Sequence, residues 1–150
     1  MEATIQFRQN TASADEIARH LSCCDSSFVP PLSSRVDISQ YASKIAQAAE
    51  RFEAYVDGEL IGLVAAYCND RINAVAYITS VSVLASWSGK GVATQLLDTC
   101  IALARNSGMQ RIDLEVGSEN ESAIALYAKK GFHSTSNDPP FLTLSLKLTA

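Results

Sequence analysis

The sequence predicts an α/β protein (α+β in some classifications) with a mixed central sheet of about seven strands, flanked by about four helices. Hydrophobic residues recur at helical spacing in four segments and alternate in the segments between them. Glycine, proline and asparagine signals separate these segments. The predicted order is β-α-α-β-β-β-α-β-α-β-β, which is that of a mixed sheet with helices on both faces.

Composition limits the class of protein. The chain has 150 residues, enough for one domain over residues 1–150 with a substantial core. Its net charge of -4 argues against a nucleic-acid-binding protein with a broad basic face. We find neither an apolar run that could span a bilayer nor a signal-peptide pattern at the N-terminus. We therefore expect a cytoplasmic protein with neither nucleic acid nor membrane as a partner.

The cysteines do not form a metal-binding pattern. Cys23, Cys24, Cys68 and Cys100 contain no C-x-x-C pair, and the chain has two histidines. We expect reduced thiols that serve as small apolar groups, and no metal site.

The N-terminal part predicts one strand and two helices. Thr4–Arg8 alternates as a strand, and Ser13 with Glu16 has the spacing of a capping box that starts a helix. Serines and prolines make 25–36 a loop. A second helix begins after Asp37 or Ser39 and runs to about Glu50. The inner face of the first helix is predicted to contain Ile17, Leu21 and Cys24. That of the second helix is predicted to contain Tyr41, Ile45 and Ala48.

The middle of the chain predicts three strands. Phe52–Val56 and Leu60–Tyr67 flank Asp57-Gly58, a strong signal for a two-residue hairpin turn. After a second turn, Ala74–Leu84 is a long strand. Its residues predicted to share one face are Val75, Tyr77, Thr79, Val81 and Val83.

The C-terminal part predicts two helices and three strands. Val92–Arg105 is amphipathic, and Ile112, Leu114 and Val116 alternate as a strand. The helix Asn120–Lys130 ends at Gly131, a natural left-handed stop. Phe132–Ser136 and Phe141–Leu148 close the sheet around 137–140.

A glycine-rich turn, Ser88-Gly89-Lys90-Gly91-Val92-Ala93, joins the long strand to the third helix. Glycines let the backbone approach a ligand, and a helix N-terminus offers unpaired N–H groups to an anion. A plain structural turn is the alternative for a Gly-x-Gly alone. The strand before it and the helix after it favour an anion site.

The order and spacing of several segments resemble the GCN5-related N-acetyltransferase (GNAT) family, which moves an acyl group from coenzyme A to an amine. The segments are Ile78–Leu84, Trp87–Ala93, Leu114-Glu115-Val116, Asn120…Tyr127 and Gly131-Phe132. The resemblance covers essentially the whole chain. In Leu114–Phe132 it is greatest to acetyltransferases of ribosomal-protein N-terminal alanines. It implies a splay between the fourth and fifth strands and acetyl-CoA as co-substrate. We expect a monomer or a homodimer.

The resemblance also implies the coenzyme contacts. Backbone amides of Gly89, Gly91, Val92, Ala93 and Thr94 would face the pyrophosphate. Ser88 stands where the family has Arg or Gln, which weakens one expected contact, and Lys90 is either a phosphate contact or an exposed loop lysine. The backbones of Val81 and Val83 would pair with the pantetheine arm. Asn120 would cap its helix and contact that arm.

Acyl transfer requires a neutral amine and a proton for the leaving thiolate. Neutralising a lysine-like amine at pH 7 costs about 4–5 kcal/mol, whereas an α-amine with a pKa near 8 costs about 1–1.5 kcal/mol. By resemblance, Tyr127 is the general acid and Glu115 the base, acting directly or through water. The alternatives are a packed helix tyrosine and a solvated carboxylate paired with Arg111. Asp113 is a weaker candidate base.

The acceptor site is expected between the first two helices and the closing strands. Phe28 could form a wall of the pocket. Arg35 could bind a carboxylate or phosphate, or could instead form a surface salt bridge. Tyr77, Tyr55 and Tyr67 could each add a polar wall. The loop is not acidic, which disfavours strongly cationic acceptors. A small amine, an amino sugar and a peptide N-terminus remain open. So do a coenzyme-binding module without turnover and transfer of another acyl group.

Overall fold

A computed structural model describes residues 4–149 as a seven-stranded sheet with four α-helices and three short 3-10 turns. The strands are β1 (Gln6–Gln9), β2 (Glu50–Val56), β3 (Glu59–Tyr67), β4 (Val75–Val83), β5 (Arg111–Gly117), β6 (His133–Asp138) and β7 (Phe141–Lys147). The helices are α1 (Ala14–Cys23), α2 (Ile38–Ala48), α3 (Val92–Asn106) and α4 (Glu121–Lys129). The predicted fold class and order of elements are confirmed.

The sheet has the strand order β1-β2-β3-β4-β5-β7-β6. Only the β4–β5 pair is parallel among the described strands; the other pairs are antiparallel. One core cluster contains residues of α1 and α2, and the other contains residues of α3 and α4. The helices therefore cover both faces of the sheet, as predicted. Within residues 4–149, no helix is long and apolar enough to cross a membrane.

Gly62 sets how closely α3 approaches the sheet. A Cβ atom at this position in β3 would lie 2.8 Å from Cγ1 of Val92, the first residue of α3. The absence of a side chain thus lets the N-terminal turn of the helix rest directly on the sheet. This contact fixes the position of the glycine-rich turn that precedes the helix.

The sheet splays open between β4 and β5. These strands pair only where Val75–Ile78 lies beside Arg111–Leu114. Beyond that point the remaining residues of both strands have no pairing with one another, so a cleft opens between them. The splay implied by the family resemblance is therefore confirmed.

A β-bulge lies where the splay begins. Ala66 of β3 pairs with Ile78 and Ala65 pairs with Ser80, which leaves Thr79 without a partner. An extra residue in one strand reverses the alternation of side chains beyond it. The prediction that all odd-numbered residues of β4 share one face is therefore wrong. Tyr77 pairs with Tyr67 on the α1–α2 side, whereas Val81 and Val83 pack on the core of α3 and α4.

Three element details also differ from the predictions. β1 is Gln6–Gln9 rather than Thr4–Arg8, because these residues pair with β2. Ala48 is exposed, since α2 ends there and the buried positions are Ala42, Ile45 and Ala49. Asn137 and Asp138 continue β6 by pairing with β7, so the turn between these strands is shorter than predicted.

Candidate active site

A cavity of about 190 Å³ occupies the cleft between β4 and β5. The loop over residues 28–36, α2 and α4 complete its walls. Seven residues singled out from the sequence line it: Phe28, Arg35, Tyr77, Val81, Glu115, Asn120 and Tyr127. The fold thus brings together candidate acid, base and acceptor-binding residues from distant parts of the chain.

The remaining predicted coenzyme residues do not line this cavity. Val83 lies at the end of β4, and 88–94 forms the turn and the first residues of α3. Gly89 and Gly91 have φ angles of 74° and 79°, which a residue with a side chain rarely adopts. A Cβ atom at either position would meet nothing within 4 Å, so open space lies beside the turn.

The N-terminus of α3 differs from those of the other described helices. α1, α2 and α4 are capped by the side chains of Ser13, Asp37 and Asn120, and the Ser13 cap includes the predicted capping box. The N-cap residue of α3 is Gly91, which offers no side-chain cap. The N–H of Gln95 donates to the Gly91 carbonyl at 3.1 Å, which leaves the preceding amides of the first turn for another acceptor.

Ser88 closes the turn before α3. Its hydroxyl donates to the Ala85 carbonyl at 2.8 Å, and its N–H reaches the same carbonyl at 3.2 Å. The side chain is therefore engaged within the turn. Lys90 is exposed.

Tyr127 lies on α4 with 6% of its surface exposed. Gly131, at φ 98°, ends the helix: the N–H of Phe132 donates to the Tyr127 carbonyl and that of Gly131 to the Ala128 carbonyl. This Schellman motif places the Phe132 ring edge-on to Tyr127, with centroids 5.7 Å apart. Burial raises the pKa of the Tyr127 phenol, so the group stays protonated through the neutral range.

Asn120 has the capping role predicted for it. Its Oδ1 accepts from the Ala123 N–H at 3.3 Å and begins α4. The residue also lines the cavity.

Glu115 and Asp113 have different surroundings although they lie on the same face of β5. Arg111 binds Asp113 through two hydrogen bonds of 2.9 and 3.2 Å, and the Ser145 hydroxyl donates to Asp113 at 2.6 Å. Asp113 is outside the cavity, whereas Glu115 lines it. Arg111 therefore pairs with Asp113 instead of Glu115, the partner considered for it from the sequence.

Two tyrosines, Tyr77 of β4 and Tyr41 of α2, line one wall of the cavity. Burial, followed by the nearby Glu115 carboxylate, raises the pKa of Tyr77 to about 12. Tyr41 also lines the cavity; its hydroxyl donates to the Thr79 carbonyl at 2.6 Å and holds the bulge in β4. Sequence reasoning placed Tyr41 on the inner face of its helix without assigning it to the site. Tyr55 and Tyr67 lie outside the cavity.

The loop over residues 28–36 is held by specific contacts. The Asp25 carboxylate accepts from the N–H and hydroxyl of Ser33 at 2.6 and 2.7 Å. Val29 lies so close to Gly117 that a Cβ atom added to Gly117 would overlap the Val29 carbonyl. Gly117 pairs across the sheet with Phe141, on whose ring the Arg35 guanidinium rests.

Gly117→Ala is expected to displace this loop and weaken use of the acceptor. Overpacking costs typically about 1–3 kcal/mol of stability, and a displacement of the positioning residues lowers kcat/KM for the acceptor by about 10- to 100-fold. Coenzyme affinity, measured on the same variant, serves as the control and should not change. An unchanged kcat/KM would show that the loop does not position the acceptor.

The splay between β4 and β5 is the one that the family resemblance implies. The sequence profile described as "Acetyltransferase (GNAT) family" matches residues 14–132. The chain belongs to the GNAT family of acetyltransferases.

Relatives include an uncharacterized N-acetyltransferase of Methanocaldococcus jannaschii, 35% identical over 54% of this chain and 38% of the relative. N-alpha-acetyltransferase MAK3 of Arabidopsis thaliana is 30% identical over 54% of this chain and 43% of its own length. The matched part thus spans less than half of either relative.

Solved structures resemble the whole fold. Ard1 from Thermoplasma volcanium has a TM-score of 0.75 at 20% identity and covers 97% of this chain and 99% of its own. The PaiA N-acetyltransferase of Thermoplasma acidophilum, solved with coenzyme A, has a TM-score of 0.73 at 15% identity and covers 96% and 99%. At these identities the likeness shows a shared fold.

Proposed function

We propose that residues 1–150 form one GNAT domain that transfers an acetyl group from acetyl-CoA directly to a primary amine within a ternary complex. The observation that carries the proposal is that Tyr127 and Glu115 line one cavity, in a chain of this family whose helix α3 also begins without a side-chain cap. The acceptor is a small molecule, an amino sugar or a peptide N-terminus. The proposal includes a cytoplasmic location and a monomer or homodimer.

The coenzyme would bind mainly through the backbone. Free amides of Gly89, Gly91 and the first turn of α3 suit a pyrophosphate, and the helix dipole adds about 0.3–1 kcal/mol per charge. Beyond Ile78 the side of β4 that faces β5 has no strand partner. The pantetheine arm would add there as an extended segment along Val81 and Val83.

The reaction then needs proton transfers to and from these side chains. Glu115, directly or through water, takes a proton from the ammonium form of the acceptor, and the neutral nitrogen attacks the thioester carbonyl carbon. The new N–C bond forms, the nitrogen releases its second proton to water, the C–S bond breaks, and the Tyr127 phenol donates its proton to the leaving thiolate and regains one from solvent. Burial raises the pKa of this phenol and so keeps the proton available for that step.

A coenzyme-binding module without turnover is disfavoured, because both candidate catalytic side chains line the cavity. The relative named N-alpha-acetyltransferase MAK3 supports keeping α-amines among the acceptors. Neither observation favours another acyl group over acetyl.

Acetyl-CoA is expected to raise the melting temperature. Selective binding to the folded state at 100 times Kd contributes about 2.7 kcal/mol, which raises Tm by about 5–10 °C in a chain of this size. Gly91→Ala should lower Tm, because a side chain at this left-handed position costs about 1–2 kcal/mol. It should also reduce the rise of Tm with acetyl-CoA, because the added Cβ atom lies beside the proposed anion site.

Gly108→Ala is the matched control, because Gly108 follows the same helix, has φ 83° and also faces open space. It should lower Tm similarly yet keep the full response to acetyl-CoA. A wild-type protein whose Tm does not respond at millimolar acetyl-CoA would contradict coenzyme binding. Equal responses in the two variants would remove Gly91 from the site.

A further inference from the structure

The cavity has a simple charge pattern. Of the residues between 4 and 149 that line it, Arg35 and Glu115 alone carry charged side chains. Arg35 belongs to the loop on one side, and Glu115 belongs to β5. Apolar residues, hydroxyl-bearing residues and the amide residue Asn120 form the rest of the lining. A ligand that fills this cavity therefore meets one positive and one negative group.

Arg35 is available to a ligand. It follows a 3-10 turn, its N–H donates to the carbonyl of buried Leu32 at 2.9 Å, and its guanidinium carbon lies 4.4 Å from the Phe141 ring centroid. This cation–π contact holds the guanidinium against the ring and uses none of its N–H donors. The ion pairs within residues 4–149 all involve other side chains, and no hydrogen bond there uses the Arg35 guanidinium.

Tyr77 is affected by both charges. Burial raises the pKa of its phenol most, the Glu115 carboxylate raises it further, and the Arg35 guanidinium lowers it. Arg35 also lowers the pKa of Tyr41 on the same wall, against the larger effect of burial. Arg35 and Glu115 thus both act on the Tyr77 phenol, which lines the cavity with them.

The space is small. The cavity volume of about 190 Å³ lies below the roughly 300 Å³ at which ordinary ligand pockets begin. The acetyl end of the coenzyme would occupy part of it. The contacts of Val29 with Gly117 and of Arg35 with Phe141 hold the loop over residues 28–36 against β5 and β7, at the edge of the cavity. These dimensions fit a compact acceptor better than an extended chain.

We propose that the acceptor is a small amino carboxylate whose amine faces Glu115 and whose carboxylate is bound by Arg35. This inference rests on the proposed function and names the substrate class of the same site. A planar guanidinium matches a carboxylate through two parallel hydrogen bonds. The amine would meanwhile lie beside the carboxylate that takes its proton, so the two charges orient the acceptor for attack.

The experiment compares α-amino acids with their matching carboxamides as acceptors, by release of the coenzyme thiol. Wild type, Arg35→Gln, Arg35→Lys and the control Arg71→Gln are assayed; Arg71 is exposed and lies outside the cavity. The ratio of variant to wild-type kcat/KM is taken for each acceptor, so that differences in intrinsic amine reactivity cancel.

We expect Arg35→Gln to lower kcat/KM about 10-fold for the amino acids, mainly through KM, because a hydrogen-bonded charge is lost. The carboxamides should be unaffected. Arg35→Lys should recover part of the loss because it keeps the charge, and Arg71→Gln should match wild type. Loss with the amino acids alone would thus assign the carboxylate contact to Arg35.

Three results would overturn the inference. Equal losses on amino acids and carboxamides would mean that Arg35 acts only on the structure of the loop or on the coenzyme. Transfer to amines that lack a carboxylate, or to amidated peptides, while amino acids are inactive, would refute the amino-carboxylate class. The proposed acetyltransferase function would then still stand. No transfer to any amine would refute both.

Discussion

Tyr127→Phe is expected to lower kcat by about 10²-fold or more, the usual size of an acid–base contribution. The ring and its edge-on contact with Phe132 are retained, so only the proton donor is removed. Coenzyme affinity, measured from the rise of Tm with acetyl-CoA, should stay the same. Because burial raises the pKa of the phenol, wild-type kcat should not fall before about pH 10, the ordinary pKa of tyrosine.

Tyr55→Phe is the matched control for this change. It also removes one phenol hydroxyl from a buried tyrosine, but that hydroxyl donates to Glu16 at 3.2 Å and lies outside the cavity. Its kcat should equal that of wild type. If Tyr127→Phe also turned over at the wild-type rate, Tyr127 would have no part in the chemistry.

Glu115→Gln is expected to have the second large effect, and its size should depend on the acceptor. For an amine with a pKa near 10.4, neutralisation at pH 7 costs about 4–5 kcal/mol, and losing the base should lower kcat/KM by about 10²-fold. For an α-amine near 8 the loss should be smaller. Raising the pH toward the pKa of the amine supplies the neutral form directly, so the deficit should shrink as pH rises.

Asp113→Asn makes the same carboxylate-to-amide change two residues away. Asp113 is bound to Arg111 and Ser145 outside the cavity, so this variant should keep its kcat/KM. Parallel pH profiles for Glu115→Gln and wild type, without any deficit at pH 7, would exclude Glu115 as the base.

Most of the fold follows from local signals. The helix starts at Ser13, Asp37 and Asn120 follow from side chains that cap a backbone N–H, and all three caps form. The stop at Gly131 follows from a φ angle that favours glycine. Such interactions connect residues within one turn, which is why periodicity and spacing predict them.

The parts that the sequence did not predict depend on contacts between distant segments. The bulge at Thr79 is held by the Tyr41 hydroxyl from a helix 38 residues earlier. Two further contacts, of Val29 with Gly117 and of Arg35 with Phe141, have no local signal either. The family resemblance named Glu115 and Tyr127, and the sequence also predicted Phe28, Arg35 and Tyr77, which line the same cavity. The contributions of Tyr41, Val29 and Gly117 became visible only in the folded chain.

The most direct test of the central claim is release of coenzyme A thiol from acetyl-CoA with a panel of primary amines, with the acetylated product identified by mass. We expect amine-dependent thiol release by the wild-type protein that falls about 10²-fold in Tyr127→Phe. Thiol release that is absent with every amine, or that yields only free acetate, would contradict the account.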